Sequence, residues 1–374
     1  MKNNEIYLRY GVDPVEMTVT LLAAAGLSED IGDRKKRIAV KPNLVTPTPA
    51  DYGATTHPEI VEGILMYLQN NGFSDIVVME GSWVGDRTSQ AYEYCGYRTV
   101  CEKYGVTFID TQKDSSHTVN CDGMELTLCD CVETVDYMIN VPVLKGHCQT
   151  KMTCALKNMK GLIPNSEKRR FHTNGLHKPI AHLSRGIRQD FIVVDHICGD
   201  PSFEEGGNPV RTDCIMTGKD PVLVDAYACK LLGLTTGDVP YVEMAEALGS
   251  GCSDLKQASV RILNEKGETV KEFSGEEINP YEAVFAKERK TLDVAVDIDE
   301  SDSCSACFAA LTAAVNRLRE ERKWPPQRLP VIAIGQGHRN KKGEFGIGNC
   351  CRNFMDFIPG CPPKEDDIYQ ALQK

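Results

Sequence analysis

Apolar positions along the chain fall into two rhythms, short unbroken runs and helical spacings, and they alternate. Ile38 to Val40 is a β-like run that ends in a proline-rich loop, KPNLVTPT. Thr55-Thr56-His57-Pro58 then opens a stretch with Ile60, Val61, Ile64, Leu65 and Leu68 on one face, closed by Gly72. Proline in a first turn and glycine after a last one predict a helix over 55–72. Asp75 to Glu80 predicts a buried strand running into a polar loop. Strand, helix and strand with short connections make a parallel βαβ unit. The rhythm recurs in the run Tyr137 to Leu144, which delivers Lys145-Gly146-His147, and in Phe191 to Asp195, which reaches Asp200. Residues 221–233 predict a helix between Pro221 and Gly233, and 259–273 a hairpin turning at Glu265-Lys266-Gly267.

These elements predict an α/β body with a mostly parallel sheet and flanking helices over residues 1–287. A small C-terminal β-α-β-α module follows over 288–374. Its expected strands are Leu292 to Asp297 and Pro330 to Ile334, and its helices are 308–322 and Asp367 to Leu372.

Composition changes this picture in two places. The 374 residues carry 42 Lys+Arg against 53 Asp+Glu, a net charge of -11, which speaks against broad nucleic-acid binding. The first residues lack an apolar signal-like core and no run suits a bilayer, so a cytoplasmic protein without a membrane partner is expected. Sixteen cysteines are then unusual, because cytosolic thiols stay reduced and form no disulfide scaffold. Most are scattered and read as small buried hydrophobes. The last ones are clustered.

That cluster reads Cys304-Ser-Ala-Cys307, then Gly348-Asn349-Cys350-Cys351, then Pro359-Gly360-Cys361-Pro362-Pro363. Thiolates two residues apart chelate from one loop, and further ligands from distant loops complete a site for zinc or an iron–sulfur cluster. A fortuitous pairing in a cysteine-rich chain is the bland alternative. The order resembles the proximal 4Fe–4S site of hydrogenase small subunits and of the related small subunit of respiratory complex I. The resemblance covers residues 300–374. It implies a 4Fe–4S cluster held by Cys304, Cys307, Cys361 and one of Cys350 and Cys351.

Basic residues concentrate in an otherwise acidic chain at 141–182, with Lys145, His147, Lys151, Lys157, Lys160, Lys168, Arg169, Arg170, His172 and His177. Charge runs are usually solvated faces. Lys145 and His147, however, follow a buried strand directly, which suits a pocket for an anionic substrate. KPNLV at 41–45, VPVLKGHCQTKMTCALKNMKGLIP at 141–164, IVVDHICGDPSFEEGGNPV at 192–210 and DPVLVDAYACKLLGL at 220–234 resemble the family catalogued as domain of unknown function 362. Members of that family often carry iron–sulfur motifs. A weaker resemblance joins His147, Lys157, His172 and Gly207-Asn208-Pro209-Val210 to nickel-pincer lactate racemases. It implies acid/base, cofactor-bearing and ligand roles for the first three, with His57 and His117 as candidates for a second acid/base group. No glycine pair precedes Lys157, so a pincer cofactor is not expected.

The resulting expectation has His147, Lys157 and His172 as catalytic residues. Lys145, Lys151, Lys160, Arg169 and Arg170 would bind the substrate. Asp195 and Asp200 could hold Mg²⁺, although loop capping explains them as well. Trp83 could line the cleft, and His57 reads as a capping or loop histidine. An iron–sulfur redox protein or oxidoreductase acting on a small anion or a redox partner protein is the leading reading. A non-redox isomerase or transferase, and a non-enzymatic electron-transfer partner, are the rivals.

Overall fold

The computed structural model describes residues 1–173, 175–279, 283–289, 298–301, 303, 305–323 and 331–373, without the side chains of His172, Thr173 and Ser305. Its residues gather into two compact units. The first takes in Met1–Gly146, Thr150–Phe171 and Leu176–Arg289, and the second His147–Gln149, His172–Gly175 and the described residues after Arg289.

Nine strands make the sheet of the first unit: β1 (Glu5–Tyr10), β2 (Ile38–Lys41), β3 (Ile76–Glu80), β4 (Thr107–Asp110), β5 (Tyr137–Asn140), β6 (Phe191–Gly199), β7 (Val210–Gly218), β8 (Ser259–Leu263) and β9 (Thr269–Ser274). They lie in the order β9-β8-β1-β7-β6-β5-β2-β3-β4. From β6 through β5, β2 and β3 to β4 every neighbour is parallel, while β7 runs against both β6 and β1. The fold is therefore α/β with a mostly parallel, mixed sheet.

Alternation along each strand divides the core in two. Ile38, Val40, Ile76 and Val78 pack into one apolar cluster, and Ala39, Val77 and Met79 into the other. A sheet covered on both faces needs such continuous apolar strands, which is why β2, β3 and β6 are buried at every position. The expected helix at 55–72 forms as Pro58–Asn70, and that at 221–233 as Pro221–Leu231, capped by Asp220 accepting from Val222 N and Leu223 N.

One expected strand ends early. The run from Tyr137 to Leu144 is strand only to Asn140, because Pro142 has no N–H to continue a ladder. Beyond it the chain still hydrogen-bonds sideways, Val141 N to Lys41 O at 2.8 Å and Leu144 N to Asp195 O at 2.9 Å. Parallel pairing brings the carboxyl ends of β2, β3, β5 and β6 to one edge of the sheet, the side on which open α/β sheets bind ligands.

The second unit holds four parallel strands, β10 (Ile298–Glu300), β11 (Ile332–Ile334), β12 (Phe345–Ile347) and β13 (Asp356–Ile358), in that order. Helices Ser305–Glu320 and Glu365–Leu372 pack with them around Leu311, Val315, Leu318 and Ile368. The expected β-α-β-α pattern is thus corrected by two further strands, each three residues long and too short to register as apolar runs. The strand expected at 292–297 and residue Pro330 lie outside the described residues.

Candidate functional site

The loops leaving β2, β3 and β5 meet around a buried carboxylate–ammonium pair. Lys41, the last residue of β2, forms an ion pair with Glu80, the last residue of β3, and both are sealed from solvent. Burial pushes Lys41 down and Glu80 up, and the attraction between them opposes both shifts. Lys41 Nζ also donates to Pro42 O at 2.7 Å. Gly161 must be glycine here, since a Cβ on it would collide with Glu80 and stand 2.6 Å from Lys41 Nζ. Gly81 is wedged likewise, with Gly161 O and Lys168 Nζ at 2.9 and 3.1 Å from any added Cβ.

A chain of buried amides fixes the next element. Asn43 Nδ2 donates to Asn158 Oδ1 at 3.0 Å, Asn158 Nδ2 to Asn140 Oδ1 at 2.8 Å, and Asn140 Nδ2 to Gln189 Oε1 at 2.7 Å. Asn158 closes the single helical turn Ala155–Asn158. At its other end, Asp225 accepts from Ala155 N at 2.7 Å and Leu156 N at 3.2 Å. Burial raises Asp225 to about 7, against the pull of those two N–H groups. This turn carries Lys157. The sheet edge, the amide chain and the Asp225 cap therefore position one lysine.

Four more lysines stand in this part of the chain, and their roles differ. Lys145 is 1% exposed, and Nζ donates to Ala54 O at 2.5 Å, Glu204 O at 2.8 Å and Asn43 Oδ1 at 3.5 Å. Burial lowers it to about 8, against the carboxylates of Glu204, Asp200 and Glu205. It is a strap for two loops, with its three N–H groups engaged, rather than the substrate ligand expected from sequence. Lys168 donates to Gly81 O at 2.9 Å and Ser82 O at 2.8 Å, and burial lowers it to about 8 as well. Lys151 is exposed and paired with Asp238 at 2.8 Å. Lys157 donates to Thr153 Oγ1 at 3.0 Å.

Lys160 is different. Half-buried, it lies with Nζ 5.7 Å from the ring centroid of Phe171, and among the described residues no carboxylate forms an ion pair with it. Burial first, then the charges of Lys157 and Lys168, push it well below the ordinary lysine range. His177 stands by the same charges. Its ring stacks on Tyr241 with centroids 5.9 Å apart, and its buried Nδ1 has no hydrogen-bond partner among the described residues. Burial, with Lys157 and Lys151, holds it below the ordinary histidine range, so the imidazole is neutral.

The remaining expected residues have other surroundings. His147 belongs to the second unit, where its Nδ1 accepts from Gln149 N at 3.1 Å. The side chain of His172 lies outside the described residues. Arg169 and Arg170 are exposed, and Arg170 is taken by Glu167 and by Glu125 O at 2.6 Å. The carboxylates expected for Mg²⁺ are engaged by N–H donors. Asp195 accepts from His57 and Ile197 N, and Asp200 from Ser202 N, Phe203 N and Asn208 N. His57 makes no side-chain cap to its helix, and its ring turns to Asp195 instead. Trp83 donates to Asp86 at 2.6 Å and shapes its own loop. Burial raises the Cys154 thiol far above its ordinary value, so it is no thiolate.

Among the terminal cysteines, Cys304 lies outside the described residues. Cys307 sits in the first turn of its helix, and a Cβ on Gly348 would stand 3.4 Å from its Sγ and 3.6 Å from Gly360 O. The two cysteine loops are laced together by Gly348 N to Ile358 O at 2.8 Å, Asn349 N to Gly360 O at 2.9 Å and Gly360 N to Asn349 Oδ1 at 2.9 Å. Cys350 is half-buried and Cys361 exposed, whereas Cys351 is fully buried and donates its S–H to Ala333 O at 3.4 Å.

Comparison with known proteins now gives this architecture a family. Residues 38–230 match the family described as Domain of unknown function (DUF362), just over half of the chain. The chain belongs to the DUF362 family. That span includes Lys41, Glu80, the amide chain and every lysine discussed above. The DUF362 chain is also 24% identical over 241 residues to the thylakoid-associated protein sll1697 of Synechocystis sp., covering 62% of this chain and 73% of that one. Among solved structures it resembles the lactate racemase apoprotein of Thermoanaerobacterium thermosaccharolyticum, with a TM-score of 0.40 and 9% identity over 87% of this chain and 68% of that one. A likeness of that size fixes neither fold nor activity. Among the described residues no helix is long and apolar enough to cross a membrane.

Proposed function

We propose that the DUF362 body is an enzyme acting on a small anionic substrate, a carboxylate or phosphate, bound by Lys157 and Lys160. The observation that carries this reading is the charge imbalance at the strand ends. Glu80 is spent on Lys41, and Lys145 and Lys168 are spent on carbonyl oxygens. Lys160 keeps a half-buried amine on which the charges of Lys157 and Lys168 act more strongly than the opposing carboxylate of Glu204. Such a cluster costs stability in the empty protein, and an anion removes that cost. His177, held toward its neutral form beside Lys157, supplies a group able to accept a proton. The test is thermal unfolding of wild type and Lys157→Met in rising phosphate. Phosphate should raise the wild-type Tm and leave the variant unmoved, and an equal response in both removes these lysines from the site.

A second reading concerns the second unit, and rests on Cys307 Sγ facing the cradle at Gly348 and Gly360. A Cβ at Gly348, whose φ is +85°, would lie in van der Waals contact with that Sγ. A set of thiols on glycine- and proline-flanked loops fits a 4Fe–4S cluster, with zinc as the alternative. Cys307, Cys361 and one of the tandem pair would hold it, with Cys304 from outside the described residues. A cluster bound there would supply one-electron transfer and make the protein an oxidoreductase or a partner of one, whereas zinc would only brace the loops. Iron, sulfide and zinc quantitation after anaerobic purification decides between them.

A further inference from the structure

Lysines that share a site divide by what their nitrogens touch. Lys41 has a carboxylate, while Lys145 and Lys168 have two or more oxygen acceptors each. Lys160 has neither among the described residues, and faces the ring of Phe171 instead. An aromatic face is a weak counter-ion compared with a carboxylate, and the charges of Lys157 and Lys168 act on the amine more strongly than that of Glu204. Burial first, then the charges of Lys157 and Lys168, push such an amine toward its neutral form, which is the nucleophilic one. The residue is only partly buried.

Resting on the anion-pocket reading, we propose that Lys160 forms an imine with a short 2-oxo acid, whose carboxylate Lys157 binds. The chemistry selects this class. A nucleophilic amine needs a carbonyl carbon, and an ammonium beside it needs an anionic group within a bond or two of that carbon. In the step, Nζ attacks the carbonyl carbon and a C–N bond forms. The carbonyl oxygen takes up the two hydrogens of the amine and leaves as water, and a C=N bond joins lysine to the acid. No oxidant or reductant is consumed. With a proton taken up from solvent the imine becomes an iminium, which draws electrons from the adjacent carbon, and His177 is the group near Lys157 that can exchange a proton with that carbon.

Trapping tests the inference directly. The full-length protein is incubated with pyruvate and cyanoborohydride, digested, and searched by mass spectrometry for a reduced pyruvate adduct. The adduct should appear on Lys160, diminish when phosphate is added, and vanish in Lys160→Arg, which keeps the charge and, by circular dichroism, its fold. Labelling spread over exposed lysines, or centred on Lys157, overturns the assignment. A wild-type Tm raised by phosphate with no adduct refutes the imine and leaves the anion pocket standing. No adduct and no response to phosphate remove both.

Discussion

His57 and Asp195, 138 residues apart, meet twice: the ring Nδ1 and the backbone N–H of His57 both lie 2.7 Å from the same Asp195 carboxylate oxygen. The pair ties the loop before helix Pro58–Asn70 to the middle of β6. Burial works against a charged ring, but the Asp195 charge and hydrogen bond outweigh it and hold His57 at about 9. With Nε2 buried, 3.7 Å from Asp51 and without a hydrogen-bond partner among the described residues, the ring is a clamp rather than a group open to substrate.

A folded pKa raised from 6.5 to about 9 contributes stability that is fully present below pH 6.5 and lost as pH rises to 9. Lys145 and Lys168, lowered from 10.5 to about 8, act oppositely and only above pH 8, where stability rises with pH. The window between pH 6.5 and 8 therefore isolates the histidine from those lysines. Urea unfolding of wild type should lose about 2 kcal/mol more across it than His57→Gln does. Parallel pH profiles for the two proteins would show that the pair is not charged.

Asp225 caps the turn that carries Lys157, so Asp225→Ala should cost about 1–2 kcal/mol in stability through the lost N–H acceptors. Phosphate affinity should fall with it, because Lys157 loses its mount. An unchanged affinity in a destabilised variant would place anion binding elsewhere.

Cys350 and Cys351 are adjacent but face different surroundings. Cys351→Ala should keep the metal or cluster content of wild type and lose stability, since its S–H meets Ala333 O in the interior. Cys350→Ser should lower the metal content while the fold persists. Colorimetric iron, sulfide and zinc assays on both variants read the difference. The reverse order would make Cys351 the ligand.

How far the sequence revealed all this differs by residue type. The strands at Ile38, Asp75 and Phe191 and the helices after Pro58 and Pro221 were legible, because continuous apolar runs and proline starts have local causes. The strands at 345–347 and 356–358 were not, since three residues among glycines carry no apolar pattern. The basic stretch was legible as charge, yet not as geometry. Nothing local distinguishes Lys145, a strap across two loops, from Lys160, which has no paired carboxylate among the described residues, because the partners of Lys145 come from residues 43, 54 and 204. The same holds for Glu80 and Asn140, whose partners lie across the parallel sheet. Lys41 and Asn43 did leave a signal in the KPN that ends β2. Asp225 looked like one more helix residue until its oxygens met the N–H groups of another turn.

Isothermal titration of phosphate at pH 7.5, repeated in two buffers of different ionisation enthalpy, tests the anion site most directly. An anion favours the protonated form of Lys160, which burial and neighbouring lysines disfavour, so binding should take up protons and weaken as pH rises. Lys157→Met with Lys160→Met together should abolish both the heat and the proton uptake. Equal affinity in wild type and the double variant, or binding with no proton uptake, would contradict a lysine-built anion site at these strand ends.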